Sequence, residues 1–351
     1  MASLPALAAT GFGSVSFENA QEAVKILLEY LPEVPFWPQM VKRGFQEDMV
    51  SQGVGGLTFL ERDAARGIVK VAGELDRDEA LTQFYETALS GDLAPFALAE
   101  SEAQGFYQLL AAVQAHPDTG PSFLKGQVVG PVTFVGMVKG SDDKAILFDH
   151  ELTQAATRGL ALKAAWQAQQ MQAMQKRAVV FFDEPSLTGF GSAFMTISRE
   201  EVIQIMTEAM QITRENAEVM IGVHCCGNTD WSMLLETPLD ILSFDAYGFF
   251  DNLILYEKAL KKFISRGGYL AWGLVPTHPD GPHPAPEELW TRFQEQIAAL
   301  VKLGLDRRLL LSQSIFTPAC GLGYLTGLQT REALAALAEL SRRGREWLDG
   351  A

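Results

Sequence analysis

From residue 126 onward the chain repeats one unit, a continuous apolar run followed by an amphipathic stretch. The runs 126–134, 177–185, 219–227, 240–248, 267–276 and 308–314 read as strands. Between and after them, 149–175, 199–213, DWSMLLETP, 252–265, 285–304 and the segment beginning at Arg331 read as helices. Unbroken Val/Ile/Leu/Phe runs are what strands buried on both faces require, and their alternation with helices places crossover helices around a parallel sheet. Two more strands are expected earlier. LAATGFGS at 7–14 is small, apolar and glycine-rich at its exit, and EVPFWPQM at 33–40 carries Pro35 and Pro38, each of which removes a ladder donor. NAQEAVKILLEYL at 19–31 has helical spacing behind a cap at Asn19. Eight strands predict an α/β fold of the (β/α)8 TIM-barrel type rather than an open doubly wound sheet. No GxGxxG follows the first strand, so a dinucleotide site has no support.

The stretch 45–125 breaks the rhythm. GVGGLTFLERDAARGIVKVAGE suggests a hairpin, and 80–91 and 102–115 suggest helices before a hinge at HPDTGP. This is too long for a simple crossover, and it is expected to be an insertion after the second strand, near the barrel mouth, in a single domain spanning 1–351. A hydrophobic content of 48% supplies ample core, and a net charge of −15 argues against nucleic acid, whose phosphates require basic faces. No basic-then-apolar leader opens the chain and no apolar run is long enough to span a membrane, so a cytoplasmic protein is expected. Three cysteines, two of them adjacent, make no disulfide framework and leave thiols for metal or catalysis.

In barrels of this kind the reacting groups sit at the C-terminal ends of strands. Ser14, Asp183, Glu184, His224, Cys226, Asp245 and Cys320 all fall at or just past such ends. In VMIGVHCCG, strand alternation turns His224 and Cys226 to one side and Cys225 to the other. A histidine and a cysteine two apart, joined by the distant Cys320 of TPACGLG, form a nitrogen–sulfur set suited to zinc with an open position. The fourth position falls to Asp245, to water or to an incoming thiolate. Asp183 and Glu184 suit a substrate ammonium, Asp183 the better of the two, although an Asp-Glu pair also favours a helix start. Gly13-Ser14 can hold a carboxylate or simply turn the chain. THPDGPHP at 277–284, with His278, Asp280 and His283, reads as a solvated loop or as the carrier of a proton near the metal.

HCCGNTDW, LSFDAYG and PACGL together resemble the H-x-C…E/D…C zinc pattern. That pattern belongs to the cobalamin-independent methionine synthase catalytic domain and to the methylcobalamin:coenzyme M methyltransferases. Both lie within the uroporphyrinogen decarboxylase-like barrel superfamily. HCCGNT is closer to the coenzyme M group, whereas FFDEP, GFGS, GPVT at 130–133 and PACGL are closer to methionine synthase. The resemblance implies zinc on His224, Cys226 and Cys320 as the catalytic centre. Asp245 falls at the acidic ligand, where the family usually has glutamate. It implies homocysteine held by Asp183 and Ser14. The synthase's N-terminal folate-binding barrel has no counterpart here, so a short "core" type is expected, with methylcobalamin or a corrinoid protein as methyl donor. The alternative acceptor is coenzyme M or another alkyl thiol. A decarboxylase-like reading rests on the faint loop FWPQMVKRG at 36–44, with Arg43 its only arginine.

Overall fold

The computed structural model describes residues 3–73, 76–192 and 196–350. In chain order the first elements are α1 (Ala20–Tyr30), α2 (Met49–Gly53), β1 (Leu60–Asp63), β2 (Ile68–Val71), α3 (Arg77–Ala88) and α4 (Gln104–Ala115). Next come β3 (Phe123–Val129), α5 (Pro131–Met137), α6 (His150–Ala173), β4 (Arg177–Asp183), α7 (Arg199–Asn216), β5 (Val219–Cys225), α8 (Trp231–Glu236) and β6 (Ile241–Phe244). The last are α9 (Phe250–Leu253), α10 (Glu257–Ser265), β7 (Tyr269–Val275), α11 (Pro286–Lys302), α12 (Arg307–Ser312), β8 (Ser314–Pro318) and α13 (Gly327–Asp349).

The helices start where their caps dictate. Asn19 accepts the backbone N–H of Glu22, and Ser198 and Thr326 each form a reciprocal capping box that opens α7 and α13. β3 to β8 form one curled parallel sheet in sequence order, and every neighbouring pair is parallel. Over most of its length the sheet is apolar on both faces. One face packs against the helices, and the other encloses a smaller core that includes Phe12, Phe123, Phe181, Ile241 and Ile315. Stepping two or four residues along these strands from that inner core reaches Lys125, Gln127, Asp183, His224, Ser243 and Thr317. The inner face therefore turns polar toward the C-terminal ends of its strands.

Segments 7–14 and 33–40 do not form the expected strands. They make isolated parallel bridges, Ala9 to Phe316 of β8, Phe36 to Lys125 of β3, and Ser14 to Gln39 between themselves. The prolines explain the shortness of the second: only the residues between and after them donate, Trp37 to the Lys125 carbonyl at 3.2 Å and Gln39 to that of Gly13 at 2.6 Å. The run 126–134 also stops early, because Gly130-Pro131 opens α5 with proline in its first turn.

The run 308–314 is a correction. Asp306 accepts the Leu309 N–H at 2.7 Å and starts α12, and the strand follows at Ser314. Leucine suits a helix well, whereas the Ile-Phe-Thr of SIFTP suits a pleated strand.

In the 45–125 stretch, β1 and β2 pair as an antiparallel hairpin, and α3 and α4 lie near their expected positions. The last residue of the hairpin reading, 74, falls outside the described residues. Among the described residues no helix is long and apolar enough to cross a membrane.

Candidate metal centre

Three side chains converge at and just past the C-terminal ends of β5 and β8. One ring nitrogen of His224 and the Sγ atoms of Cys226 and Cys320 all lie within 4.8 Å of one another. His224 is the sixth residue of β5, directly registered between Asp183 of β4 and Ser243 of β6. Its imidazole stacks on the Phe12 ring at 3.8 Å, and Nδ1 lies 3.1 Å from Ser243 Oγ while Nε2 has no partner. A tautomer with the proton on Nδ1 leaves the Nε2 lone pair for a ligand. Burial first, and the nearby Lys125 cation second, push the His224 pKa down to about 3, so the ring is neutral at ordinary pH. Cys226 hydrogen-bonds with Cys320, and this contact brings the Cys226 thiol down to about 7. The same contact pushes Cys320 well above the usual thiol range, with burial adding to it. The pair gives up one proton readily at Cys226 and keeps the second. A neutral imidazole and a half-ionised thiol pair, with one buried nitrogen unpaired, fit a soft divalent cation such as zinc.

Cys225 takes the other face. It is fully buried beside Thr188, and burial raises its thiol to about 12, so it belongs to the core. Gly321, immediately after Cys320, brings the chain against Ser14. A Cβ there would meet Ser14 Oγ at 2.0 Å, and Leu322 donates to the Ser14 carbonyl at 2.8 Å. Ser14 thus sits beside the Cys320 turn. Asp183 ends β4 with Oδ1 buried and unpartnered, and burial raises its carboxyl to about 7 against the pull of Lys125.

The carboxylates of two expected site residues bond to backbone. The Asp245 carboxylate is outside the His/Cys/Cys group and accepts the Gly248 N–H at 2.7 Å, closing the turn after β6. An aspartate at that point meets its own backbone, which a short side chain does readily. Glu184 is completely buried, with Oε1 accepting from Val132 N at 2.9 Å and Oε2 from Thr133 N and Oγ1 at 2.7 and 2.6 Å. It anchors the first turn of α5. Gly130 is required there, since a Cβ would lie 2.1 Å from the Glu184 carboxyl carbon. Glu184→Ala is accordingly expected to cost about 2–4 kcal/mol of stability by orphaning these donors, read as a lower denaturation midpoint with unchanged metal content.

His278 and His283 lie in an exposed loop, with His278 Nδ1 accepting from Asp280 N at 3.3 Å and His283 Nε2 3.4 Å from Gln329 Nε2 of α13. Arg43, the only arginine of the decarboxylase-like loop, is engaged by Glu47 at 3.2 Å. Lys125, fully buried on the inner face, is the site residue that sequence reasoning missed. Its signal was a lysine inside a buried strand, FLKGQVV.

No known protein family matches the chain, and neither does any curated protein. Among solved structures it is similar to a modular endo-beta-1,4-mannanase of glycoside hydrolase family 26 from Cellulomonas fimi. The TM-score is 0.44 at 15% identity, over 95% of this chain and 70% of that one. A likeness at that level carries no argument about fold or chemistry.

Proposed function

We propose that the protein is a zinc-dependent thiol methyltransferase that methylates homocysteine from a methylcorrinoid donor. In this reading the two bridged segments 7–14 and 33–40 stand for the first two strands of a degenerate (β/α)8 barrel. The observation that carries the proposal is the convergence of one imidazole nitrogen and two thiol sulfurs within 4.8 Å on a polar inner face otherwise lined with aromatic rings. His224, Cys226 and Cys320 would hold the metal, and zinc there supplies a Lewis acid that lowers the pKa of a substrate thiol.

The chain's own groups set the geometry. Ser243 fixes the His224 ring, and Phe12 covers its face and excludes water. The Asp183 carboxylate, registered beside His224 and lacking a partner, receives the substrate ammonium. Ser14, against the Cys320 turn, lies at the rim where the substrate enters. Holding acceptor sulfur and methyl carbon in line supplies much of the acceleration.

The test is methyl transfer by the zinc-loaded protein from free methylcobalamin, with homocysteine and coenzyme M compared as acceptors. Methionine formation with a clear preference for homocysteine supports the reading. Preference for coenzyme M moves the protein to the alkyl-thiol transferases, and no transfer to any thiol removes the catalytic reading.

A further inference from the structure

The proposed reaction leaves one charged side chain of the inner face unused. Lys125, the third residue of β3, has 0% of its surface exposed, and its Nζ has no hydrogen-bond acceptor. Among the described residues no carboxylate comes within ion-pair distance of it. Three aromatic rings surround it instead, with Phe181, Phe12 and Phe36 centroids at 4.5, 5.2 and 5.9 Å from Nζ. Ring faces attract a cation without neutralising it, so the charge keeps its appetite for an anion. A buried ammonium in that condition is costly to keep in the fold. The opposite charge it feels is that of Asp183, whose Oδ1 is also unpartnered.

The inner face thus carries an unsaturated ammonium and an unsaturated carboxylate on adjacent strands. Asp183 is registered beside His224, and Phe12 contacts both Lys125 and His224. We infer that Lys125 is the cation that reads the acid end of the thiol substrate, carboxylate or sulfonate, while Asp183 reads an ammonium. This rests on the thiol-binding reading above and narrows it to small thiol acids. With Asp183 opposite, the favoured class is thiols that carry both charges, the amino-acid thiols.

Calorimetric titration of the metal-loaded full chain and its Lys125→Met variant tests this without relying on turnover. Methionine keeps the length and apolar stem that the ring cage holds, and removes only the charge. Three thiols are compared: L-homocysteine with both charges, 3-aminopropane-1-thiol with the ammonium alone, and 2-mercaptoethanesulfonate with the acid alone. The wild type is expected to bind homocysteine about tenfold or more tighter than 3-aminopropane-1-thiol, the worth of one charge-assisted contact. In Lys125→Met that preference disappears, because homocysteine weakens while 3-aminopropane-1-thiol does not. If 2-mercaptoethanesulfonate is instead the tightest ligand and loses most in the variant, Lys125 still reads the acid end and the acid is a sulfonate. Equal weakening of all three thiols, or of none, overturns the role of Lys125 while leaving thiol binding intact. A wild type that binds no thiol overturns both readings together. Should Lys125→Met fail to fold, Lys125→Gln carries the same comparison.

Discussion

Asp183→Asn is expected to lower kcat/KM for homocysteine roughly 100-fold, about 3 kcal/mol, while leaving zinc content unchanged. The substitution keeps the shape of the side chain and removes the charge that faces the substrate ammonium. Asp183 is half-buried, and its enclosed Oδ1 has no partner in the free protein, so no other hydrogen bond stands in for the lost interaction. The ionised carboxylate is the binding form, and burial holds its pKa near 7. The pH profile of kcat/KM should therefore rise through about pH 7 in the wild type and lose that limb in Asp183→Asn. Steady-state kinetics from pH 5.5 to 8.5, with metal analysis of each preparation, checks both parts. A variant with full homocysteine affinity would remove Asp183 from the site.

The second large effect concerns loading of the metal. Metal competes with protons for the two sulfurs, so affinity should climb as pH rises. Cys320 holds its proton well above the usual thiol range, and it is displaced across the whole neutral region. Cys226 loses its own near 7, so below that value a second proton must also leave. Apparent zinc affinity is expected to gain about tenfold per pH unit above 7 and more steeply below it, each displaced thiol proton contributing one such factor. His224 adds nothing to the slope, because its ring is already neutral. Competition titrations against a chromophoric chelator at pH 6, 7 and 8 measure this. A flat profile would mean that the thiols are not the ligands.

The parallel half of the fold was legible because β3 to β8 are buried on both faces, and burial writes itself as apolar runs between amphipathic helices. The failures have local causes. Leu309, Leu310 and Leu311 look like a strand when only hydrophobicity is weighed, and the Asp306 cap that makes them a helix is a single side-chain bond. Segments 7–14 and 33–40 were found as extended positions. Their bridging depends on which partners the curled sheet brings near, and Pro35 and Pro38 keep the pairing short.

In the site, His224 and Cys226 follow from alternation along one strand, and Cys320 from its place just past another. Asp183 and Glu184 are adjacent in sequence but unequal in space. The first meets the inner face, whereas the second meets the start of α5, whose apolar residues also suit a strand. Lys125 was overlooked because a lone lysine in an apolar run reads as a strand boundary. Only the rings of Phe12, Phe36 and Phe181, brought from three separate segments, show that it is enclosed.

The central claim is that His224, Cys226 and Cys320 hold a metal, and the most direct measurement is elemental analysis of the purified protein beside Cys320→Ser. The account predicts about one zinc per chain in the wild type and its loss in the variant, with the fold retained by circular dichroism, because a serine hydroxyl does not replace a thiolate ligand. Zinc that persists in Cys320→Ser, or a wild type that takes up none when offered it under reducing conditions, would contradict the account.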